Sequence, residues 1–283
     1  MVHEMHRDPH SGKPTYWHAR GELFAGLFIL GCANGLAGKI IRSIDRLGWV
    51  EATLGTFDIS AIVLISCFVG ISLILRDKVD EIKPADISAG VIVLLLAILP
   101  IAGVNWLAVT ALSLYILIFT RAHESTRRGA TILLAVTVPM LWSRLLFDFF
   151  ANFILDIDAS LVGWILGTHR SNNMIEFSDH SGTLVIYPAC SSLANMSLAL
   201  LCWVTVSQSV GHRARPQDIL WCLLACASVL AVNVTRLSLM GLSVTYYDAI
   251  HGSWGDLVAN INILGLTVGI SVLGVRREAF SRA

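Results

Sequence analysis

One cysteine stands at the polar edge of an apolar block, in residues 187–193, YPACSSL. A cysteine acts as a nucleophile in its thiolate form. Pro188 suits the first turn of a helix, which predicts that an apolar helix begins there and that Cys190 lies in its first turn. Free N–H groups and the helix dipole at that end favour the thiolate. The alternative is that Cys190 is a small apolar residue at a helix cap.

Asn233 and Arg236 lie late in the following apolar block and share one helical face. An arginine within an apolar span costs about 2.5 to 3.5 kcal/mol on insertion scales, so such residues usually face the bundle interior and have a partner or a task. A helix that starts near Asp218 and rises about 1.5 Å per residue places Arg236 at its far end, at the depth expected for Cys190. The alternative is an arginine that snorkels to the headgroups.

His251 lies in the polar stretch 246–256, just before the last apolar block. Histidine is well suited to proton transfer near neutral pH. A histidine in such a loop is by itself most often solvated. The information comes from the thiol, the guanidinium and the imidazole together, because all three are predicted at helix ends on one side of one membrane.

Four further residues are supporting candidates. Ser191 and Ser192 directly follow the cysteine. Arg144 and Asp148 stand four residues apart in the fifth apolar block, which predicts a salt bridge near the outer surface, with a contact to the substrate as an alternative role. The loop histidines lack the spacing of a zinc site, so the sequence predicts neither a metal nor a cofactor.

The composition indicates that these residues act at a membrane. Hydrophobic residues make up 55% and charged residues 14% of the 283 residues, and mean hydropathy is +0.70, whereas soluble domains contain about 25% charged residues. The apolar residues form continuous blocks long enough for helices to cross about 30 Å of hydrocarbon. A β-barrel is disfavoured because its strands would alternate polar and apolar residues. The formal net charge of +0 indicates no nucleic-acid partner.

We therefore predict an all-α, polytopic membrane bundle of about eight transmembrane helices. The predicted spans are residues 22–41, 59–75, 87–102, 104–120, 130–150, 191–210, 218–241 and 257–275. Residues 22–275 form one membrane domain between the tails 1–21 and 276–283. Residues 153–167 are too short and too acidic to span, which indicates an interfacial or re-entrant segment. TLVIY, just before Pro188, predicts a short extended segment.

The basic residues of the loops predict the orientation. Outside the spans, lysines and arginines gather on one side, and only Arg42, Arg46 and Arg170 fall on the other. Since basic loops resist translocation, both termini are predicted to be cytoplasmic. Loops 151–190 and 242–256 then face outward, and the candidate residues lie on the extracytoplasmic side of a cell inner membrane.

The order of these motifs resembles a known family. A Cys-Ser pair at the head of a span, Asn-x-x-Arg late in the next span and His-x-x-x-Gly before the last span are similar to the pattern of the exosortase/archaeosortase family. The resemblance covers residues 130–275, whereas the first four spans match only in general character. It implies a membrane cysteine endopeptidase or transpeptidase with Cys190, Arg236 and His251 as catalytic residues.

The resemblance also implies the substrate and the steps of the reaction. The substrates would be exported proteins ending in a Pro-Glu-Pro-like motif, a membrane helix and a basic tail. Cys190 would form a thioester acyl-enzyme, His251 would protonate the leaving amine, and Arg236 would hold the oxyanion or keep the thiol ionised. Ser192 departs from the family, which usually has glycine after the Cys-Ser or Cys-Thr pair, and this implies a different recognition sequence.

Two other functional classes are alternatives. A transporter or channel would line a polar path with arginines at mid-membrane depth, whereas here the unusual residues gather towards the outer end. A non-catalytic scaffold for exopolysaccharide or envelope assembly would leave Cys190 inert. Thiol labelling from outside distinguishes the enzyme from the scaffold. The sequence gives no oligomeric state.

Overall fold

The computed structural model describes residues 20–77 and 81–281 of the chain. About 81% of these residues are helical and 3% lie in strands. The helices are α1 (Arg20–Leu54), α2 (Ala61–Leu75), α3 (Pro84–Ile98), α4 (Ala102–Leu114), α5 (Glu124–Thr137), α6 (Ser143–Leu166), α7 (Ser192–Ser209), α8 (Pro216–Met240), α9 (Val244–His251) and α10 (Ser253–Ser281). The strands are β1 (Arg170–Ser171), β2 (Met174–Glu176) and β3 (Thr183–Val185). The predicted helical class is confirmed, and residues 1–19 of the predicted tail 1–21 lie outside the described residues.

Several helices have the length and composition of membrane spans. Within the described residues, 5 helical segments are long and apolar enough to cross a bilayer: Arg20–Leu54, Ala102–Phe119, Glu124–Leu166, Pro216–Met240 and Trp254–Arg276. α2 and α3 are apolar but have 15 residues each. These helices support a membrane protein, while eight spans and cytoplasmic termini stay predictions.

The acidic stretch 153–167 continues a helix. A π-helical turn at Val138–Trp142 joins α5 to α6, so helix runs from Glu124 to Leu166. Phe150 alone departs from helical geometry inside α6, with φ −121° and ψ 20°, where the predicted fifth span ends. The predicted boundary between the fifth span and residues 153–167 therefore coincides with this kink. The stretch itself is helical, and its interfacial or re-entrant position stays a prediction.

The larger of the hydrophobic cores lies among α1, α2, α4, α5 and α7. A Cβ atom added at Gly129 of α5 would lie 2.5 Å from the carbonyl oxygen of Gly70 in α2, so these helices approach each other through glycines. Small residues allow such close backbone packing in membrane bundles. A hydrogen bond of 2.8 Å between the buried hydroxyls of Ser66 and Thr205 ties α2 to α7.

A second core positions the candidate site. It joins α6 and α8 to the small sheet, in which Ile175 of β2 stands opposite Leu184 of β3. The sheet is antiparallel with the order β1-β2-β3. Cys190 and Tyr247 pack at the edge of this core. β3 confirms the extended segment predicted before Pro188, whereas β1 and β2 were not predicted.

Candidate active site

Cys190 is presented by a short turn between β3 and α7. Pro188–Cys190 forms a 3-10 turn, in which the Cys190 N–H donates to the Tyr187 carbonyl at 2.9 Å. Ser191 is the N-cap of α7, and its hydroxyl accepts a hydrogen bond of 3.3 Å from the Leu193 N–H. Cys190 therefore precedes the helix cap and does not lie in the first helical turn as predicted, because the serine caps the helix better than the proline starts it.

Asn233 of α8 holds this turn in place. Its side-chain amide donates to the carbonyl oxygen of Cys190 at 2.8 Å and to the hydroxyl of Ser192 at 3.0 Å. Asn233 and Ser192 are both buried, with 3% of each exposed. A buried amide with two good acceptors fixes both residues strongly. The sequence singled out Asn233 for its spacing from Arg236, and the structure gives it these partners.

Asp158 supports the same turn from α6. Its carboxylate oxygen Oδ2 accepts a hydrogen bond of 3.0 Å from the Ser192 N–H, and Asp158 is only 2% exposed. This N–H is one of the free donors at the start of α7, where a negative charge is favourable. The sequence reasoning missed Asp158, although an acidic residue inside an apolar stretch was the available signal.

Arg236 forms an ion pair with Asp256, in the first turn of α10. The Arg236 side chain is 17% exposed and that of Asp256 is 54% exposed. The Nε of Arg236 is buried and has no hydrogen-bond partner among the described residues. Arg236 therefore has a donor available beyond its contact with Asp256. The sequence reasoning did not identify Asp256 as the partner.

The electrostatics around Cys190 favour the neutral thiol at rest. Burial raises the pKa of the Cys190 thiol above its ordinary value of 9.0, and the negative charge of Asp256 acts in the same direction. The positive charge of Arg236 opposes this increase, as does a backbone hydrogen bond at Tyr187. The shift is opposite to the one expected from a helix terminus, because desolvation outweighs the nearby positive charge.

His251 is the last residue of α9 and is exposed. Its ring stacks on Tyr247 with centroids 4.8 Å apart and planes at 13°, and Tyr247 in turn contacts Phe177 edge-on at 6.5 Å. Since Tyr247 and Cys190 pack on the same core, the imidazole and the thiol belong to one end of the molecule. No hydrogen bond joins His251 to Cys190 within the described part of the chain.

Arg144 and Asp148 do not form the predicted salt bridge. Both side chains are exposed, and no ion pair joins them in the described residues. Arg144 instead lines a pocket with Lys39 and Arg42 of α1. Spacing along α6 permitted the pairing, but the arrangement of α1 beside α6 gives the guanidinium a different environment.

A polar cleft opens beside α6 and the turn that joins β1 to β2. Its volume is about 450 Å³, and amide and carboxylate side chains dominate its lining. The lining residues are Asn152, Phe153, Leu155, Asp156, Asn172 and Asn173. Leu155 also belongs to the core on which Cys190 packs, so the cleft and the thiol share one supporting structure.

Comparison with known proteins gives no relative: no protein-family model, no curated protein and no solved structure matches the chain.

Proposed function

We propose that the protein is an integral-membrane cysteine peptidase or transpeptidase that cleaves exported proteins at the extracytoplasmic face of the cell inner membrane. The observation that carries this proposal is the attachment of the Cys190 turn to α8. Asn233 holds the turn through the Cys190 carbonyl, and Arg236, one turn further along α8, acts on the thiol with its positive charge. A positioned nucleophile beside a cation is the arrangement that acyl transfer requires.

Because burial raises the pKa of the Cys190 thiol, the proposed reaction needs a base to remove its proton, and we give that role to His251. In the proposed reaction His251 accepts the thiol proton when the substrate binds, and the sulfur attacks the peptide carbonyl. Arg236 donates hydrogen bonds to the tetrahedral oxyanion. His251 then returns the proton to the leaving amine, which departs and leaves the thioester on Cys190. Water or an acceptor amine resolves the thioester, giving proteolysis or transpeptidation.

The exposed position of His251 suits this role. Its ring is supported on one face by Tyr247. Among the described residues its ring nitrogens have no hydrogen-bond partner, so they are available to a substrate group. The ring needs to approach the sulfur when substrate binds, as catalytic hydrogen bonds often tighten only in the complex.

The side chains that line the polar cleft beside α6 suit a peptide substrate. Amide side chains such as Asn152 and Asn172 offer both donors and acceptors, which match the alternating groups of an extended peptide backbone. We assign this cleft to the recognition segment of an exported protein. The membrane helix that follows this segment in the substrate would lie alongside the bundle in the lipid.

The test is cleavage of a tagged substrate in membranes. The substrate carries a Pro-Glu-Pro-like motif, a membrane helix and a basic tail, and is co-expressed with the wild type, Cys190→Ala or Cys202→Ala. Cys202 is a buried thiol within α7 and serves as the matched control. We expect cleavage by the wild type and by Cys202→Ala, and none by Cys190→Ala. Unchanged cleavage by Cys190→Ala contradicts the proposal.

A further inference from the structure

A pocket lined by basic side chains lies where α1, α4 and α6 meet. Lys39 and Arg42 of α1 and Arg144 of α6 all line it, around a volume of about 120 Å³. No acidic residue lines this pocket among the described residues. A neighbouring cleft of about 530 Å³ shares Lys39 and Arg42 in its lining.

Two acidic residues, Asp45 and Asp58, line the wider cleft but not the small pocket. The carboxylate of Asp58 is engaged by Arg46 in an ion pair. Lys39 donates a hydrogen bond of 3.3 Å to the backbone carbonyl of Asp58, and in the described residues no carboxylate lies within ion-pair distance of it. In the described part of the chain, Arg42 and Arg144 have no carboxylate within ion-pair distance. Three like charges that line one small pocket repel each other.

The surroundings indicate the headgroup region of a bilayer. Trp142 precedes Arg144 by two residues and is 40% exposed. On α1, Gly48 adopts φ 79° and breaks the helix, and Trp49 directly after it is 69% exposed. Exposed aromatic side chains of this kind gather at the membrane–water interface. Lysines and arginines at that depth attract anionic lipids.

We propose that the pocket of Lys39, Arg42 and Arg144 binds a phosphate group, supplied by the headgroup of an anionic phospholipid. Guanidinium groups bind phosphate oxygens in pairs, and a lysine adds a point charge, so the side chains match the ligand. The phosphate would remove the repulsion between the cations and tie α1 to α6. This site is separate from peptide cleavage and does not depend on the proposed function.

The experiment measures lipid binding by the purified full-length chain in neutral detergent. Native mass spectrometry follows the titration of phosphatidylglycerol, with phosphatidylcholine and inorganic phosphate as separate probes. The pocket variant carries Lys39→Gln, Arg42→Gln and Arg144→Gln. The matched control carries Arg76→Gln, Arg121→Gln and Arg213→Gln, which remove the same charge from exposed positions elsewhere.

We expect the dissociation constant for phosphatidylglycerol to rise at least about tenfold in the pocket variant and to stay within about twofold in the control. Competition by inorganic phosphate would support a pocket open to free phosphate as well, and its absence supports the lipid alone as the source. Equal binding by the pocket variant and the control overturns the proposal, as does phosphatidylcholine binding as tightly as phosphatidylglycerol.

A single substitution keeps the test decisive if the triple variant does not fold. Arg144→Gln removes one exposed guanidinium, and size-exclusion chromatography verifies that the protein remains monodisperse. We expect a rise of at least about threefold in the dissociation constant. No change in a monodisperse Arg144→Gln protein contradicts the assigned site.

Discussion

Two buried aspartates show how the two halves of the molecule use the same side chain differently. Asp86, in the half formed by α1 to α5, is 0% exposed and accepts hydrogen bonds from Arg20 at 2.7 Å and from Tyr115 at 2.8 Å. Asp158, in the half formed by α6 to α10, accepts one from the Ser192 N–H at 3.0 Å, with no cation paired to it in the described residues. The first aspartate locks helices together, and the second holds the turn that carries a thiol.

The cysteines show the same difference. Cys32 and Cys67 are buried in the first core and are surrounded by apolar side chains. Cys190 is only partly buried, and polar groups from α6 and α8 meet at its turn. A thiol becomes useful for chemistry when polar groups fix its position and leave it accessible. The comparison therefore predicts that substitutions in the two halves change different measurements.

The largest expected effect is the loss of the proposed nucleophile. Cys190→Ala should lower the rate of substrate cleavage by at least about 10³-fold, as removal of a catalytic nucleophile does elsewhere. Cys67→Ala should leave the rate unchanged and lower the free energy of unfolding by about 1 kcal/mol, since it deletes one small buried group. Both are measured on purified protein in proteoliposomes. Equal effects on the rate would remove the distinction between the halves.

Removal of the cation beside the thiol comes next. Arg236→Gln should lower kcat by about 10²- to 10³-fold, the scale of losing one oxyanion donor. Asp256→Asn keeps the guanidinium and should cost no more than about tenfold. Steady-state kinetics of both variants distinguish the effect of losing the cation from the effect of losing its ion pair. If Asp256→Asn loses as much activity as Arg236→Gln, catalysis depends on the ion pair and the role given to the cation alone is contradicted.

The two aspartates provide the direct comparison of positioning with stability. Asp158→Ala leaves the Ser192 N–H unpaired and should lower kcat about tenfold, and Asp158→Asn, which retains an acceptor oxygen, should recover most of it. Asp86→Asn breaks a buried ion pair and should lower the free energy of unfolding by about 3 to 5 kcal/mol. Kinetics and thermal unfolding are measured on each variant. A large kcat loss in folded Asp86→Asn protein would contradict the assignment of Asp86 to stability and of Asp158 to positioning.

The reactivity of Cys190 should follow its raised pKa. Because the thiolate is the reactive form, alkylation by iodoacetamide should increase with pH to a midpoint above 9.0. Removing a positive charge in Arg236→Gln should move the midpoint further up, and removing a negative charge in Asp256→Asn should move it down. Peptide mass spectrometry follows Cys190 specifically. Shifts in the opposite directions would show that these charges do not act on the thiol.

The smallest expected effect concerns substrate recognition in the polar cleft. Asn152→Ala and Asn172→Ala should each raise KM by about two- to tenfold with kcat unchanged, the range for the loss of one hydrogen bond. Leu161→Ala, on the same helix but outside the cleft, is the control. A fall in kcat with KM unchanged would place these residues away from substrate binding.

Continuous apolar runs predicted most of the helical structure. α8 spans Pro216–Met240, close to the predicted 218–241, because the run has the length of a span and a proline at its start. The predicted fifth span 130–150 runs through the junction of α5 and α6 and ends at Phe150, where the backbone departs from helical geometry. The fall in hydropathy after residue 150 coincides with this kink, and helix continues beyond it to Leu166. Hydropathy therefore predicted where the apolar span ends and not that the following stretch is helical.

The residues of the candidate site were only partly predictable. Cys190, Arg236 and His251 are singled out by residue type and by their positions near the ends of apolar runs. Asp158 and Asp256 were missed because their partners are distant in sequence, and only tertiary packing determines which acid meets which donor. The spacing of neighbouring residues along one helix does not contain that information.

The most direct test of the central claim is the capture of the acyl-enzyme. Full-length protein is incubated with the tagged substrate and quenched in acid, and the Cys190 peptide is identified by mass spectrometry. We predict a substrate fragment joined to Cys190 through a thioester that neutral hydroxylamine releases, and no such adduct in Cys190→Ala. Cleavage that proceeds without an adduct on Cys190, or that persists in Cys190→Ala, contradicts the assignment of Cys190 as the nucleophile.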